Sequence, residues 1–302
     1  EHPRRSCTCR GSAVRSPGMS RFDRVIVADW SAASAPSPAR PSADAIWIGS
    51  ADAAGVETSY FRTRTAAETA LTQAILEPKG RLLIGFDFPM GYPTGFAARL
   101  TGTPQARAVW RWLAAELHDG PDNRNTRFEV ANQINATFGQ GPFWGRPRSL
   151  TLPHLPERKV VDYPALGLSE RRQVETLVPR TQPVWKLFTT GAAGGQGLVG
   201  QPMIDRLSHM PGVAVWPFDP PDTRVVLAEV YPSLLAPAVR ADTGPIKDEA
   251  QVRLLARALW TLSQQDTLAP LFDTPTSPVT TEEGWILGAG HEAQLNGALR
   301  CA

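Results

Sequence analysis

Three acidic residues each stand at the end of a stretch whose other residues are suited to burial. Asp29 closes RVIVAD, Asp87 follows RLLIGF, and Glu229 closes VVLAE. A carboxylate taken into a low-dielectric setting must be hydrogen-bonded, paired with a cation or bound to a metal. Carboxylate oxygens are the ligands that Mg²⁺ and Mn²⁺ prefer, and such ions can activate a water for phosphodiester hydrolysis. If the three acids converge, the pattern predicts a metal-dependent hydrolase.

Each acid taken alone also has a structural interpretation. Asp29 can cap the turn that follows it, Asp87 can anchor the turn at Pro89, and Glu229 can pair with an arginine. The catalytic interpretation therefore depends on whether all three meet at one edge of a sheet. Other hydrolase classes are disfavoured, because the histidines show no HExxH or triad-like spacing and no serine lies in a nucleophile-elbow motif.

The elements around the acids predict how they meet. Hydrophobic patterning indicates strands at 24–32, 45–50, 56–62, 81–89 and 223–232, helices at 65–76, 104–118, 125–135 and 247–265, and two short helical segments within 280–295. This order is typical of an α/β sheet in which three antiparallel strands precede a crossover. The first and fourth strands can then lie parallel and adjacent, which brings Asp29 and Asp87 to the same edge.

The rest of the chain predicts a single domain with a loop-rich insertion. Residues 19–302 are assigned to the domain, and residues 138–222, where proline and glycine are frequent, to a Pro/Gly-rich insertion or cap. Within it, GAAGGQG at 191–197 is expected to be a flexible loop and lacks the GK[ST] ending of a phosphate loop. Residues 1–18 are expected to be a disordered leader or a non-native extension.

Composition and charge indicate a folded cytoplasmic protein. Of 302 residues, 42% are hydrophobic and 20% charged, which is near the globular average. No apolar run approaches the roughly 18 to 20 residues of a membrane helix, and no signal peptide is visible, so no membrane partner is expected. The total charge is +2 and the leader carries +3, so the remaining chain carries −1 and gives no global electrostatic argument for nucleic acid.

Four short motifs resemble the family named domain of unknown function 429, whose members are described as predicted nucleases with an RNase H-like fold. The motifs are DWSA at the first strand, GFDFPMGYP at the fourth, RFEVANQIN on a helix and EVYPSL at a later strand. The resemblance extends over most of residues 20–295, and the order and spacing of the motifs support it. The resemblance implies an RNase H-like mixed sheet, with three antiparallel strands and then parallel strands, flanked by helices.

The same resemblance implies a set of metal ligands for Mg²⁺ or Mn²⁺. It points to Asp29 and Asp87 as ligands with Glu229 nearby, and to a further acid on a late helix. Asp248 is the candidate for that acid and Glu249 its neighbour. The pair in EEGWILG, Glu282 and Glu283, remains a substitute because the late helix has its acids only at its start.

Substrate contacts are expected from two places in these motifs. Arg127 and Glu129 of RFEVANQIN are candidates, with Arg127 facing a phosphate, and Ser31 of DWSA is a third. Residues two apart on a helix point away from each other, so a solvated surface pair is the alternative for Arg127 and Glu129.

A mildly basic region adds a possible surface for single-stranded nucleic acid. Residues 121–190 contain ten Lys and Arg against six Asp and Glu, a net charge of +4. Aromatic residues lie between the basic ones, namely Phe143, Trp144, Tyr163 and Trp185. Arginine for phosphates and aromatic rings for base stacking is a common way to bind a single strand. A mixed surface on a cap explains the same composition.

Three functional hypotheses remain open. The first is a nuclease-like, metal-dependent phosphodiester hydrolase acting on nucleic acid or a nucleotide-like phosphoester, with Glu229 completing the aspartate site or orienting a water. The second is an ATPase or sugar-kinase-like phosphotransferase, although DWSAAS and GFDFPMG lack the glycine-rich turns that it needs. The third is a non-catalytic RNase H-like binding scaffold, linked to nucleotide or molybdenum-cofactor metabolism.

Overall fold

A computed structural model describes residues 20–77, 80–189 and 191–300, so the predicted leader at 1–18 lies outside the described residues. In this part of the chain six strands form one mixed sheet. They are β1 (Arg24–Asp29), β2 (Ile46–Asp52), β3 (Gly55–Phe61), β4 (Leu82–Phe86), β5 (Val213–Trp216) and β6 (Val225–Glu229).

The strand order is β3-β2-β1-β4-β6-β5. The pairs β1–β2 and β2–β3 are antiparallel, whereas the pairs β1–β4, β4–β6 and β6–β5 are parallel. The prediction of three antiparallel strands followed by parallel strands is confirmed, and so is the adjacency of the first and fourth strands. Ala28 of β1 is in register with Phe86 of β4, which in turn is in register with Glu229 of β6.

Helices cover both faces of the sheet. The described α-helices are α1 (Arg64–Leu76), α2 (Phe96–Thr101), α3 (Ala106–Glu116), α4 (Arg127–Phe138), α5 (Tyr163–Leu166), α6 (Gln173–Leu177), α7 (Ala193–Ser208), α8 (Ala236–Ala241), α9 (Lys247–Gln264) and α10 (Glu292–Ala298). Alternation along β1 separates two hydrophobic cores: Ile26 and Ala28 pack with α1, α3 and α7, and Val25 and Val27 with α9 and α10. None of the described helices combines the length and apolar character of a membrane span.

The C-terminal part of the predicted insertion belongs to these layers. Residues 193–208 form the core helix α7, and residues 213–216 form the edge strand β5. The expectation of a flexible loop at 191–197 is therefore wrong, since residues 193–197 are the first turns of α7. Its glycines allow close packing instead: a Cβ on Gly194 would lie 2.3 Å from the carbonyl oxygen of Val184, and one on Gly200 2.5 Å from the ring of Phe88.

Replacing Gly194 with alanine is expected to lower the free energy of unfolding by about 1–3 kcal/mol, because backbone atoms must move to admit the methyl group. Gly297 in α10 is the matched control, because a Cβ there has no neighbour within 4 Å. Alanine at Gly297 should stabilise the helix by about 0.5–1 kcal/mol. Urea unfolding of both variants checks this, and equal effects at the two sites would contradict the packing role of Gly194.

Candidate active site

Two aspartates lie side by side at the carboxyl edge of the parallel strands. Asp29 is the last residue of β1, and Asp87 directly follows β4. The backbone N–H of Asp87 donates to the carbonyl oxygen of Ala28 at 2.9 Å, which continues the β1–β4 ladder by one residue. Neighbouring strands are about 4.8 Å apart. Both side chains are half-buried, so this edge holds two closely spaced carboxylates that solvent can still reach.

The start of α9 brings further charges to this edge. Asp29 shares the face of β1 that carries Val25 and Val27, against which α9 packs. Asp248, the second residue of α9, accepts a hydrogen bond at Oδ2 from the backbone N–H of Asp44 at 2.8 Å. An acid in the first turn is also favoured by the helix dipole. The late-helix acid that the sequence suggested is thus placed beside the two strand-end aspartates.

The aspartates repel one another in a partly desolvated setting. Burial raises the pKa of Asp29 well above its usual range, and the charges of Asp87, Asp248 and Asp44 raise it further. Burial, followed by the charges of Glu229 and Asp248, raises the pKa of Asp87 to about 7. Lys247 opposes both shifts and does not cancel them. In the part of the chain that the structure describes, the carboxylates of Asp29 and Asp87 accept no hydrogen bond and form no ion pair.

Two partnerless carboxylates fit a hard divalent cation. Mg²⁺ is usually held by one or two carboxylates, with water and phosphate oxygens filling the remaining positions. Asp29 and Asp87 match that donor set. Across residues 20–77, 80–189 and 191–300, no three His, Cys, Asp or Glu side chains stand close enough together to hold a metal ion. The protein's contribution to such a site is therefore the aspartate pair.

Glu229 is engaged elsewhere. Its Oε1 accepts from Nη2 of Arg172 at 2.6 Å and its Oε2 from Nη1 at 2.8 Å, and Oε2 also accepts from the backbone N–H of Met90 at 2.9 Å. The register with Phe86 places Glu229 on the sheet face opposite to Asp29. Arg172 also donates through Nε to Glu175 at 2.9 Å. We assign Glu229 to a buried ion-pair network that anchors the chain before α6 to the sheet.

The other acids considered for the site have structural partners. Glu249 accepts from the hydroxyl of Thr58 at 2.8 Å. Glu282 accepts from the backbone N–H groups of Gly95 and Ala97 at the start of α2. Glu283 accepts from Thr94 and from the backbone N–H of Gln173, at the start of α6. Of the four alternatives for the late acid, Asp248 is the one that interacts electrostatically with both strand-end aspartates.

Arg127 and Glu129 point in opposite directions from α4. Arg127 is 7% exposed and donates through Nη1 to Ser34 and Asn125 at 2.9 and 2.8 Å, whereas Glu129 is exposed. Burial, followed by the charge of Arg64, lowers the pKa of Arg127 to about 10. Arg127 thus holds the loop after β1 in place from the buried side, so the alternative of a solvated surface pair is wrong for Arg127.

Ser31 orders the same loop. Its hydroxyl donates to the carbonyl oxygen of Asp44 at 3.1 Å and accepts from the backbone N–H of Ala33 at 3.3 Å. Asp44 adopts a left-handed backbone conformation, with φ of 56°, and its N–H binds Asp248. Ser31 therefore links the turn after Asp29 to the loop that positions Asp248.

The aromatic residues expected to stack on bases are mostly in the core. Phe143, Tyr163 and Trp185 are buried, and Trp185 lies in contact with the rings of the other two. The stacking prediction is therefore wrong for these three residues, while Trp144 is half-buried. All three belong to the hydrophobic core on the side of the sheet that α1, α3 and α7 cover.

Stability should depend on pH through Asp87. Its pKa is 3.8 in an unfolded chain and about 7 in the folded protein, so the folded state binds the proton more tightly. The contribution of this group is most favourable below about pH 4 and is lost as the pH rises to 7. Asp87→Asn should therefore be more stable than the wild type at pH 8, by up to about 4 kcal/mol, and equally stable near pH 4. Chelator-treated samples unfolded by urea at both pH values check this, and a pH-independent difference would contradict it.

Several parts of the site lie outside the four motifs. Arg172 lies in the basic region 121–190 but in none of the motifs, and Lys247 immediately precedes the candidate acid Asp248. The Gln196 side chain at the start of α7 donates to the carbonyl oxygen of Trp30, which joins α7 to the end of β1.

Comparison of the chain with protein-family models, with curated proteins and with solved structures gives no match.

Proposed function

We propose that the protein is a divalent-cation-dependent phosphoester hydrolase built on Asp29 and Asp87, with an RNase H-like sheet as its framework. The observation that carries the proposal is the pair of half-buried carboxylates at adjacent parallel strand ends, which accept no hydrogen bond and form no ion pair with any described residue. A structural carboxylate in such a setting has a partner, as Glu229 does. Two neighbouring carboxylates without such a partner repel each other, and a bound cation would remove that repulsion.

The residues at this edge would have different roles. Asp29 and Asp87 would hold Mg²⁺ or Mn²⁺, which would lower the pKa of a bound water and neutralise charge on a phosphate. Asp248 adds negative charge beside both aspartates and is itself held by the N–H of Asp44. The exposed ammonium of Lys247 supplies positive charge next to the same edge, where it can contact a phosphoryl oxygen.

A substrate panel tests the proposal. Bis(p-nitrophenyl) phosphate, p-nitrophenyl phosphate, a single-stranded DNA and a single-stranded RNA would be incubated with the protein in Mn²⁺ or in chelator. We expect Mn²⁺-dependent cleavage of at least one. Failure on all four, together with no binding of Mn²⁺, would favour the non-catalytic scaffold. An increase in the melting temperature of the protein on addition of ATP would instead favour the phosphotransferase hypothesis.

A further inference from the structure

A cavity of about 190 Å³ opens beside Asp87. It lies between the carboxyl ends of β4 and β6 and the start of α7. Its apolar wall includes Pro89, Val230, Tyr231 and Ile286. Pockets that enclose drug-sized ligands span about 300–1,000 Å³. A cavity of this size therefore accommodates one ring system and not a stretch of polymer.

The charges that line the cavity exclude an anion. Three carboxylates, Asp87, Glu175 and Glu229, lie on its wall with one guanidinium, that of Arg172. Every nitrogen of that guanidinium already donates: Nε to Glu175, Nη2 to Glu229, and Nη1 to Glu229 and to the carbonyl oxygen of Glu283. Four of its five N–H groups are thereby used on protein acceptors, and the excess of negative charge on the wall favours a group rich in N–H donors over a phosphate.

Two carboxamides supply directional polar contacts on the same wall. Gln182 is exposed, and its side chain makes no hydrogen bond within the described part of the chain. The side-chain nitrogen of Gln196 donates to the backbone carbonyl oxygen of Trp30, and its side-chain oxygen accepts no hydrogen bond from any described residue. Apolar walls with a few polar groups that fix orientation are the usual composition of a small-molecule site.

We propose that this cavity binds one amino-bearing nitrogen heterocycle. The flat faces of the ring would contact Tyr231 and Pro89, and its N–H groups would face the carboxamides and the negative wall. Since the cavity adjoins Asp87, a phosphoryl group attached to such a base reaches the aspartate pair. The substrate is then a small phosphoester of that base, a step that rests on the proposed hydrolase function, whereas ring binding does not.

Calorimetric titration of cytidine and uridine in chelator tests ring binding alone. Cytidine has a two-proton amino donor at C4 and an acceptor at N3, whereas uridine has a carbonyl acceptor at C4 and a single N–H donor at N3, so cytidine offers one more N–H to the negative wall. Cytidine should bind about tenfold more tightly, as one additional hydrogen bond to a charged environment predicts. No binding of cytidine, or equal binding of the two, would overturn the proposal.

Two cavity variants and one surface control locate the binding. Ala193→Trp places an indole at the cavity wall and should abolish cytidine binding, while Val160→Trp places the same group at a residue that is 73% exposed and should not. Gln182→Ala, at an exposed position, should weaken binding several-fold and provides a test if Ala193→Trp fails to fold. Binding that survives both cavity variants would reject the site. Mn²⁺ binding without cytidine binding rejects only the cavity proposal, and the reverse result rejects only the hydrolase.

Discussion

Replacing Asp87 with asparagine is expected to reduce Mn²⁺-dependent phosphoester cleavage by about a hundredfold or more. The amide keeps the shape of the side chain and removes the negative charge that a hard cation requires. Because Asp87 makes no side-chain hydrogen bond to any described residue, the substitution breaks no structural contact. Initial rates in Mn²⁺ and in chelator, on whichever panel substrate is cleaved, measure the effect.

The control for this prediction lies at the other edge of the same sheet. Asp52 is in register with Arg24 at the start of β1, and its Oδ1 accepts from the backbone N–H of Ala54 at 2.8 Å. Asp52→Asn should leave cleavage unchanged. Asp87→Asn should also melt at a temperature no lower than the wild type at neutral pH, so that its lost activity is not lost folding. Undiminished cleavage by Asp87→Asn would remove Asp87 from the mechanism.

Arg172→Ala is expected to lower the free energy of unfolding by about 3–5 kcal/mol. The substitution leaves the carboxylates of Glu175 and Glu229 buried without their cation, and each is at most 5% exposed. Arg206→Ala is the matched control, because Arg206 also forms a two-point pair, with Glu68, but its side chain is 55% exposed. That loss should be about 0–1 kcal/mol. Urea unfolding of both variants compares them.

Removing the negative charges of Glu175 and Glu229 as well should restore most of the free energy of unfolding that Arg172→Ala loses. Arg172→Met combined with Glu175→Gln and Glu229→Gln removes all three charges of the network, so it leaves none of the uncompensated buried charge that makes Arg172→Ala costly. If Arg172→Ala costs no more than Arg206→Ala, the network is not what joins the chain before α6 to the sheet. The assignment of Glu229 to structure would then have to be withdrawn.

The strands that carry the aspartates could be predicted from the sequence. RVIVAD and LLIGF are continuous apolar runs, and their order in the chain made them parallel neighbours. Period-two patterning and crossover topology depend on local residues, so they are readable without coordinates. The position of Asp29 beside Asp87 follows from these two facts.

The partners of Glu229 could not be predicted in the same way. Glu229 and Arg172 are 57 residues apart, and Arg172 lies in a segment without clear periodicity. From the sequence, Glu229 and Asp29 are the same kind of residue, an acid at a strand end. The difference between a paired and an unpaired carboxylate is a long-range contact, which no local pattern encodes.

The prediction of a loop at the start of α7 was wrong for a different reason. Glycine weakens a helix by about 1 kcal/mol relative to alanine, so GAAGGQG favours a loop on propensity alone. Packing overrides that propensity here, because the missing Cβ atoms let α7 approach Val184 and Phe88. The same long-range packing buried Trp185 and Phe143, which composition alone made candidates for base stacking.

The central claim is tested most directly by calorimetric titration of Mn²⁺ into the chelator-treated protein at low salt, beside Asp29→Asn, Asp87→Asn and the control Asp52→Asn. The account predicts binding to the wild type and to Asp52→Asn, and loss of binding in each of the other two variants. Absence of binding to the wild type at millimolar Mn²⁺, or binding that survives both substitutions at the β1 and β4 ends, would contradict it.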